Sequence, residues 1–306
     1  MEPTKPKVSI GLAVYNGEDY LVEAIESILQ QTFTDFELII SDNASTDRTA
    51  EICRRYADQD PRIRYHRNAT NIGGANNENQ TFRLARGEYF RWAAHDDVCA
   101  PELLENSVAV LDADPDVVLC YTYIKEIDET SQVTRERQLH RGLSPRPHQR
   151  FRDFVFRDHA CEATYGLMRS AVMARTALQK NYTDSDRVLL CELALYGRFY
   201  EIPEPLFYKR HHQKNVYLDW RARMAWFNPA WKGKIAFPNW LQLFDCLDTL
   251  RRVPLPMGEK FLCYLTMIPW LIRYSRHMVK DLLVALQMAI YSREWRRRDA
   301  SIYNWE

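Results

Sequence analysis

The strongest constraint on this 306-residue chain is an alternation of short apolar runs with amphipathic stretches, repeated at roughly 25–30 residues through its first half. Val8–Val14 reads as a buried strand ending in the turn Tyr15-Asn16-Gly17. Leu21, Val22, Ile25, Ile28 and Leu29 then recur at helical spacing. Phe36–Ser41 predicts a second strand, and the turn-rich Asn43–Asp47 opens a helix through Tyr56. A strand over Arg62–His66, a helix over Gly74–Leu84 and a strand over Glu88–Ala94 follow. Pro101 suits the first turn of a helix to Leu111, and Val117–Ile124 predicts a further strand. Such a series predicts an α/β fold with a Rossmann-like, doubly wound, mostly parallel sheet. Ligands of such sheets sit beyond the carboxyl ends of the strands. Asn16, Asp42, Asp96 and Asp97 all fall there.

Past residue 130 the pattern loosens. Arg135–Arg152 is polar and basic with two prolines, and predicts a surface loop that orders on binding. Alternation returns over Thr164–Met173, with a helix over Arg187–Tyr196 and a short strand over Phe199–Ile202. The chain then turns helical and Trp-rich, which divides it into a sheet domain, 1–215, and an extension, 216–306. Apolar stretches such as Phe261–Ile272 stop short of the ~20 residues that span a bilayer.

Lys plus Arg and Asp plus Glu are equal at 41 each, so the whole-chain charge predicts no nucleic-acid partner. The balance hides an asymmetry: residues 211–306 hold 15 basic and 8 acidic residues, +7, leaving 1–210 at −7. An acidic body suits a divalent cation, and a basic tail suits an anionic surface. The seven cysteines contain no CxxC pair, which points to buried thiols in a reducing compartment rather than zinc or disulfides. The N-terminal sequence lacks the apolar run of a signal peptide, and the expected location is the cytoplasm.

Two groups of residues carry the chemistry. Asp96-Asp97 at a strand end offers hard oxygen donors suited to Mg²⁺ or Mn²⁺ completed by substrate phosphates, although acidic pairs also cap helices. Asp42 can accept the imide N–H of a uracil or cap the following helix, with Ser45 and Asp47 better placed as caps.

Taken in order, Ala13–Gly17, Ser41–Asp47, Asn71-Ile72-Gly73, Ala85–Tyr89 and His95-Asp96-Asp97 resemble the landmarks of family 2 glycosyltransferases, inverting enzymes with the GT-A fold. The likeness continues through Ser185-Asp186 and Pro203–Tyr208 to His212. It implies that Val14, Tyr15, Asn16, Asn71 and Gly73 line a nucleotide-sugar pocket. Asp42 would hold the base, uracil foremost, and Asp96 would face the ribose or donor sugar. Asp97 and His212 would ligate the metal, and Asp186 would act as general base on the acceptor hydroxyl, that of a glycan or a lipid-linked acceptor. Glu162, Tyr165 and Gly166 are the residues expected to meet that acceptor. Asp186 can alternatively cap its helix, and His212 can be a loop histidine.

Two positions depart from the family pattern. Ser185 stands where a Glu is usual, and Asn77-Glu78-Asn79 puts a negative charge where an Arg is common, so that the Arg135–Arg152 segment would have to supply a basic group. These departures sustain the rival of a non-catalytic nucleotide-sugar-binding protein on the same fold. A sugar-nucleotidyltransferase is disfavoured because no Gly-rich, basic loop follows the first strand. In the extension, Trp220, Trp226, Trp231, Trp240, Trp270 and Trp295 either pack on the body or across a homodimer, or sit at the headgroups of an anionic membrane.

Overall fold

The computed structural model describes residues 5–156, 161–212, 220–232, 234 and 236–290. Strand β1 (Val8–Val14), helix α1 (Leu21–Leu29), β2 (Phe36–Asp42), α2 (Thr49–Gln59), β3 (Ile63–Arg67), α3 (Gly74–Leu84) and β4 (Tyr89–Ala93) follow the predicted alternation. A two-residue β5 (Val98–Cys99), α4 (Leu103–Ala113), β6 (Val117–Ile127) and β7 (Val133–Arg137) come next. Helix α5 (Pro147–Val155), a 3₁₀ turn over Glu162–Tyr165, β8 (Leu167–Arg169), α6 (Ser170–Met173), α7 (Ser185–Tyr196) and β9 (Arg198–Arg210) complete the sheet domain. The extension holds α8 (Trp220–Phe227), α9 (Pro238–Arg252) and α10 (Met257–Ile290).

The sheet order is β3-β2-β1-β4-β8-β6-β9-β5, with β7 beside β6. Its long pairings, β2 with β1 and β3, β1 with β4, and β6 with β9, are parallel. The short strands β5, β7 and β8 pair antiparallel. Strand alternation sends Tyr89 and Ala93 of β4 into one core and Phe90 and Trp92 into another, so both faces are covered by helices. The second core takes in Leu243, Cys246, Cys263, Met267 and Trp270, so the extension is buried against α5 and α7, the helices on that face of the sheet.

Two expectations need correction, and one open alternative is decided. The Arg135–Arg152 segment is no loop: it contributes to β7 and contains most of α5, on which Arg150, Phe151, Phe154 and Val155 are buried. The polar composition hid this, because Arg150 is buried by donating to the carbonyls of Ala194, Ser144 and Pro145. The strand at Phe199–Ile202 runs on to Arg210, and register shifts opposite Thr122–Ile124 absorb Pro203 and Pro205. In the extension, the indole N–H groups of Trp231, Trp240 and Trp270 donate to the carbonyls of Asn181, Met278 and Val155, so these tryptophans pack inward rather than facing lipid. Trp226 is half exposed, and Trp295 lies outside the described residues. All seven cysteines are free thiols, and no described helix is long and apolar enough to cross a membrane.

Candidate active site

The loops after β1, β2 and β3 form a rim stapled by its own side chains. Asn16, at φ 51°, accepts the Thr46 N–H on Oδ1 (2.8 Å), and its own N–H donates to Ser45 Oγ (3.0 Å). Asp42 is fully buried; Oδ1 accepts the Ser45 N–H (2.8 Å), while Oδ2 accepts the Tyr65 hydroxyl (2.8 Å) and pairs with Arg67. Just before α2, Asp47 Oδ1 accepts the Thr49 N–H (3.0 Å), so Asp47, not Asp42, is the acid nearest the helix start. Asn71 Oδ1 accepts from Asn43 Nδ2 (2.9 Å) and from the Gly73 N–H (2.8 Å). Gly73 has φ 87°, and a Cβ there would lie 2.3 Å from the Phe227 carbonyl oxygen, so α8 seats directly on this turn. Val14 is buried at the end of β1, and Tyr15 beside it is 40% exposed.

Asp96 and Asp97 follow β4 and are both buried. The Asp97 carboxylate accepts the Arg210 N–H (2.8 Å), and Asp96 Oδ2 lies 3.0 Å from His212 Nε2. Burial and the neighbouring Asp96 charge push Asp97 up to about 8, against the pull of the Arg210 N–H, Lys209 and Arg91. Arg210 is the brace of this turn. Its guanidinium is fully buried and donates to the Asp96 carbonyl, the Asp128 carbonyl and the Glu23 carboxylate. The His212 ring packs on Tyr20, and its buried Nδ1 has no partner among the described residues. Among those residues no group of three or more His, Cys, Asp or Glu forms a metal cage. Two carboxylates, one of them averse to carrying its charge unaided, and an imidazole with an idle nitrogen nevertheless fit a hard divalent ion whose other ligands are phosphate oxygens and water.

Asp186 lies in the first turn of α7, on the wall of a cleft of about 290 Å³ shared with Glu78, Trp92, His95, Glu162, Tyr165 and Lys209. Its Oδ1 accepts the N–H of its neighbour Arg187 (2.8 Å), and burial together with Asp184 raises its pKa. Ser185 is buried, and its hydroxyl donates to the Lys180 carbonyl (2.7 Å), so the departure from Glu places a loop tie rather than a second acid beside Asp186. Glu78, singled out in the sequence as a departure from the family pattern, lies on the same cleft wall. Burial, then the Asp186 charge, pushes its carboxyl up to about 8, so the negative charge that its sequence position implied is suppressed.

Glu162 is buried, yet Lys209 (2.9 Å) and Arg137 pair with its Oε1. Burial works to raise its pKa, but these two cations outweigh that and hold it below the ordinary range. Its second oxygen, Oε2, is buried with no partner among the described residues. Arg137, from the Arg135–Arg152 segment, is paired with Glu162 and Glu126, so its charge is spent on these carboxylates. Tyr165 sits among the carboxylates: burial, then Glu78, Asp97, Asp96 and Asp186, drive its phenol well above the ordinary range. Gly166 is not on the cleft wall; a Cβ there would lie 2.6 Å from the Cys120 carbonyl oxygen, so the residue serves the close approach of this turn to β6. Sequence reasoning singled out Glu78 but not the suppression of its charge, and it missed Lys209 and Arg210. The latter two were legible only as a basic run before His212.

This geometry agrees with the comparisons. The model of glycosyl transferase family 2 matches residues 9–175, more than half of the chain, and the chain belongs to that family. An uncharacterised glycosyltransferase of Methanocaldococcus jannaschii is 35% identical over 137 residues, which cover 44% of this chain and 47% of the relative. The chain spans less than half the length of the curated relatives it matches. Among solved structures, residues 1–349 of S. aureus TarS in complex with UDP superpose with a TM-score of 0.57 at 16% identity, covering 94% of this chain and 92% of that one. The mannosyltransferase PcManGT of Pyrobaculum calidifontis, in complex with GDP-Man and Mn²⁺, gives 0.53 at 18% identity, covering 94% and 88%. These likenesses establish the GT-A fold.

Proposed function

We propose that the chain is an inverting glycosyltransferase that moves a sugar from a nucleoside diphosphate, UDP foremost, onto a hydroxyl of a glycan or lipid-linked acceptor in cell-surface polysaccharide or glycolipid synthesis. Residues 1–215 are the catalytic unit and 216–306 the helical extension. The observation that carries this reading is the cleft itself, which brings His95, next to Asp96-Asp97, and Lys209, next to Arg210, onto the same wall as Asp186, Glu78 and Tyr165. The turn after β4 and the cleft around Asp186 are therefore one site.

In this reading Val14, Tyr15, Asn16, Asp42, Asn71 and Gly73 shape the nucleotide pocket, and Asp96 faces the ribose or donor sugar. Asp97 and His212 hold Mg²⁺ or Mn²⁺, which when bound neutralises the charge growing on the leaving diphosphate. Glu162 Oε2 and Tyr165 orient the acceptor. Asp186 takes the proton from the acceptor hydroxyl as that oxygen bonds to C1 and the C1–diphosphate bond breaks, with inversion. A raised pKa suits Asp186 to this role, because a base accepts a proton best when its pKa nears the working pH.

TarS has been captured with UDP and PcManGT with GDP-Man and Mn²⁺, which supports a nucleotide and a metal here. Calorimetric titration of UDP and GDP, with and without Mn²⁺, tests the reading. UDP binding is expected to strengthen with Mn²⁺, and Asp97→Asn to remove that gain by at least about tenfold. Equal binding by the wild type with and without metal would take the metal role from Asp97.

A further inference from the structure

Helix α10 is buried along one side only. Cys263, Met267, Trp270, Tyr274 and Met278 enter the second core, and Asp281 binds Asn239. On the opposite side Phe261, Leu265, Ile268, Ile272, Leu283 and Leu286 are exposed, Ile272 by 72% and Phe261 by 62%. At about 100° per residue they occupy a band roughly 60° wide, and from Phe261 to Leu286 it runs about 38 Å along the helix. An exposed apolar band of that length on a helix without a spanning segment calls for a partner.

The charges beside the band identify that partner. Arg273, Arg276 and Lys280 are exposed along one edge of the helix. Its two acids are turned inward, Glu259 to His148 and Asp281 to Asn239. A second copy of the chain would bring like basic edges together with no exposed acid on this helix to match them. An anionic lipid surface supplies both the apolar medium and the opposite charge.

We infer that α10 is an interfacial anchor that lies flat on an anionic bilayer, its Phe261–Leu286 band in the acyl boundary and Arg273, Arg276 and Lys280 on the headgroups. The anchor consists of Phe261 and aliphatic side chains, the tryptophans Trp231, Trp240 and Trp270 being used for packing. The inference does not depend on the transfer chemistry of the cleft.

Flotation of the full chain with phosphatidylcholine vesicles, with and without phosphatidylglycerol, tests it. The wild type is expected to float with the anionic vesicles and to be released as salt rises. Ile268→Glu/Ile272→Glu is expected to lower the bound fraction at least tenfold with an unchanged melting temperature, since both residues are exposed. Arg276→Ala/Lys280→Ala is expected to weaken binding to the anionic vesicles only. A wild type that stays in solution with anionic vesicles at low salt overturns the inference. So does a wild-type dimer in sedimentation that Ile268→Glu/Ile272→Glu converts to monomer without altering vesicle binding; that result would give the band to a second copy.

Discussion

The rim after β1–β3 and the cleft around Asp186 are both rich in carboxylates, and, Glu162 apart, they treat them in opposite ways. On the rim, Asp42 has hydrogen bonds from Ser45 and Tyr65 and an ion pair with Arg67. Burial works to raise the pKa of Asp47, but bonds from Thr49 and Glu18 hold it below the ordinary range. In the cleft, burial and like charge push Glu78 and Asp97 up to about 8 and raise Asp186. A carboxylate whose oxygens are occupied serves as a staple, and a desolvated one beside a like charge responds to protons, cations and ligands. The rim therefore sets a shape before any ligand arrives, while the cleft holds the groups whose state a ligand can change.

The sharpest way to break this contrast is at Asp186. Asp186→Asn is expected to lower kcat by about 10²–10⁴-fold while leaving UDP affinity unchanged. Steady-state transfer kinetics beside calorimetry check this, and wild-type turnover in the variant would move the base elsewhere. The rim should fail through stability instead. At Gly73, φ is 87° and the Phe227 carbonyl blocks a Cβ, so Gly73→Ala is expected to cost about 1–3 kcal/mol in urea unfolding. An unchanged midpoint would mean that the rim yields, contrary to a preset shape.

The smallest effect concerns protons. Folded, Glu78 keeps its proton to about pH 8; unfolded, it loses it near its ordinary value of 4.5. The folded state binds more protons between these values, so this contribution is complete below the unfolded pKa and is lost as pH rises through about 8. Glu78→Gln is expected to flatten the decline in stability between about pH 5 and about pH 8. Urea midpoints across that range measure it, and parallel profiles for the two proteins would remove Glu78 from the strained set.

The rim and the sheet were legible because their signals are local. Each strand from β1 to β4 is an apolar run bounded by turn residues, and the candidate site residues Asn16, Asp42, Asp96 and Asp97 follow β1, β2 and β4 in sequence. The cleft was legible at Asp186 only through family likeness. Glu78 looked like a misplaced charge, since nothing near it in sequence reveals that burial and Asp186, over a hundred residues away, suppress its ionisation. Helix α5 was hidden for a related reason: Arg150 reads as a surface residue until the carbonyls that receive it are in place.

Sequence alone determined the strand–helix alternation, the strand-end positions of Asp42, Asp96 and Asp97, and the basic, apolar character of the extension. Those follow from periodicity and turn chemistry, which act within a few residues. Only the tertiary structure decided which carboxylates are satisfied and which are strained, because pKa depends on burial and on neighbours brought from distant segments. It also decided which side of α10 is covered, since that depends on where α5 and α9 press against it.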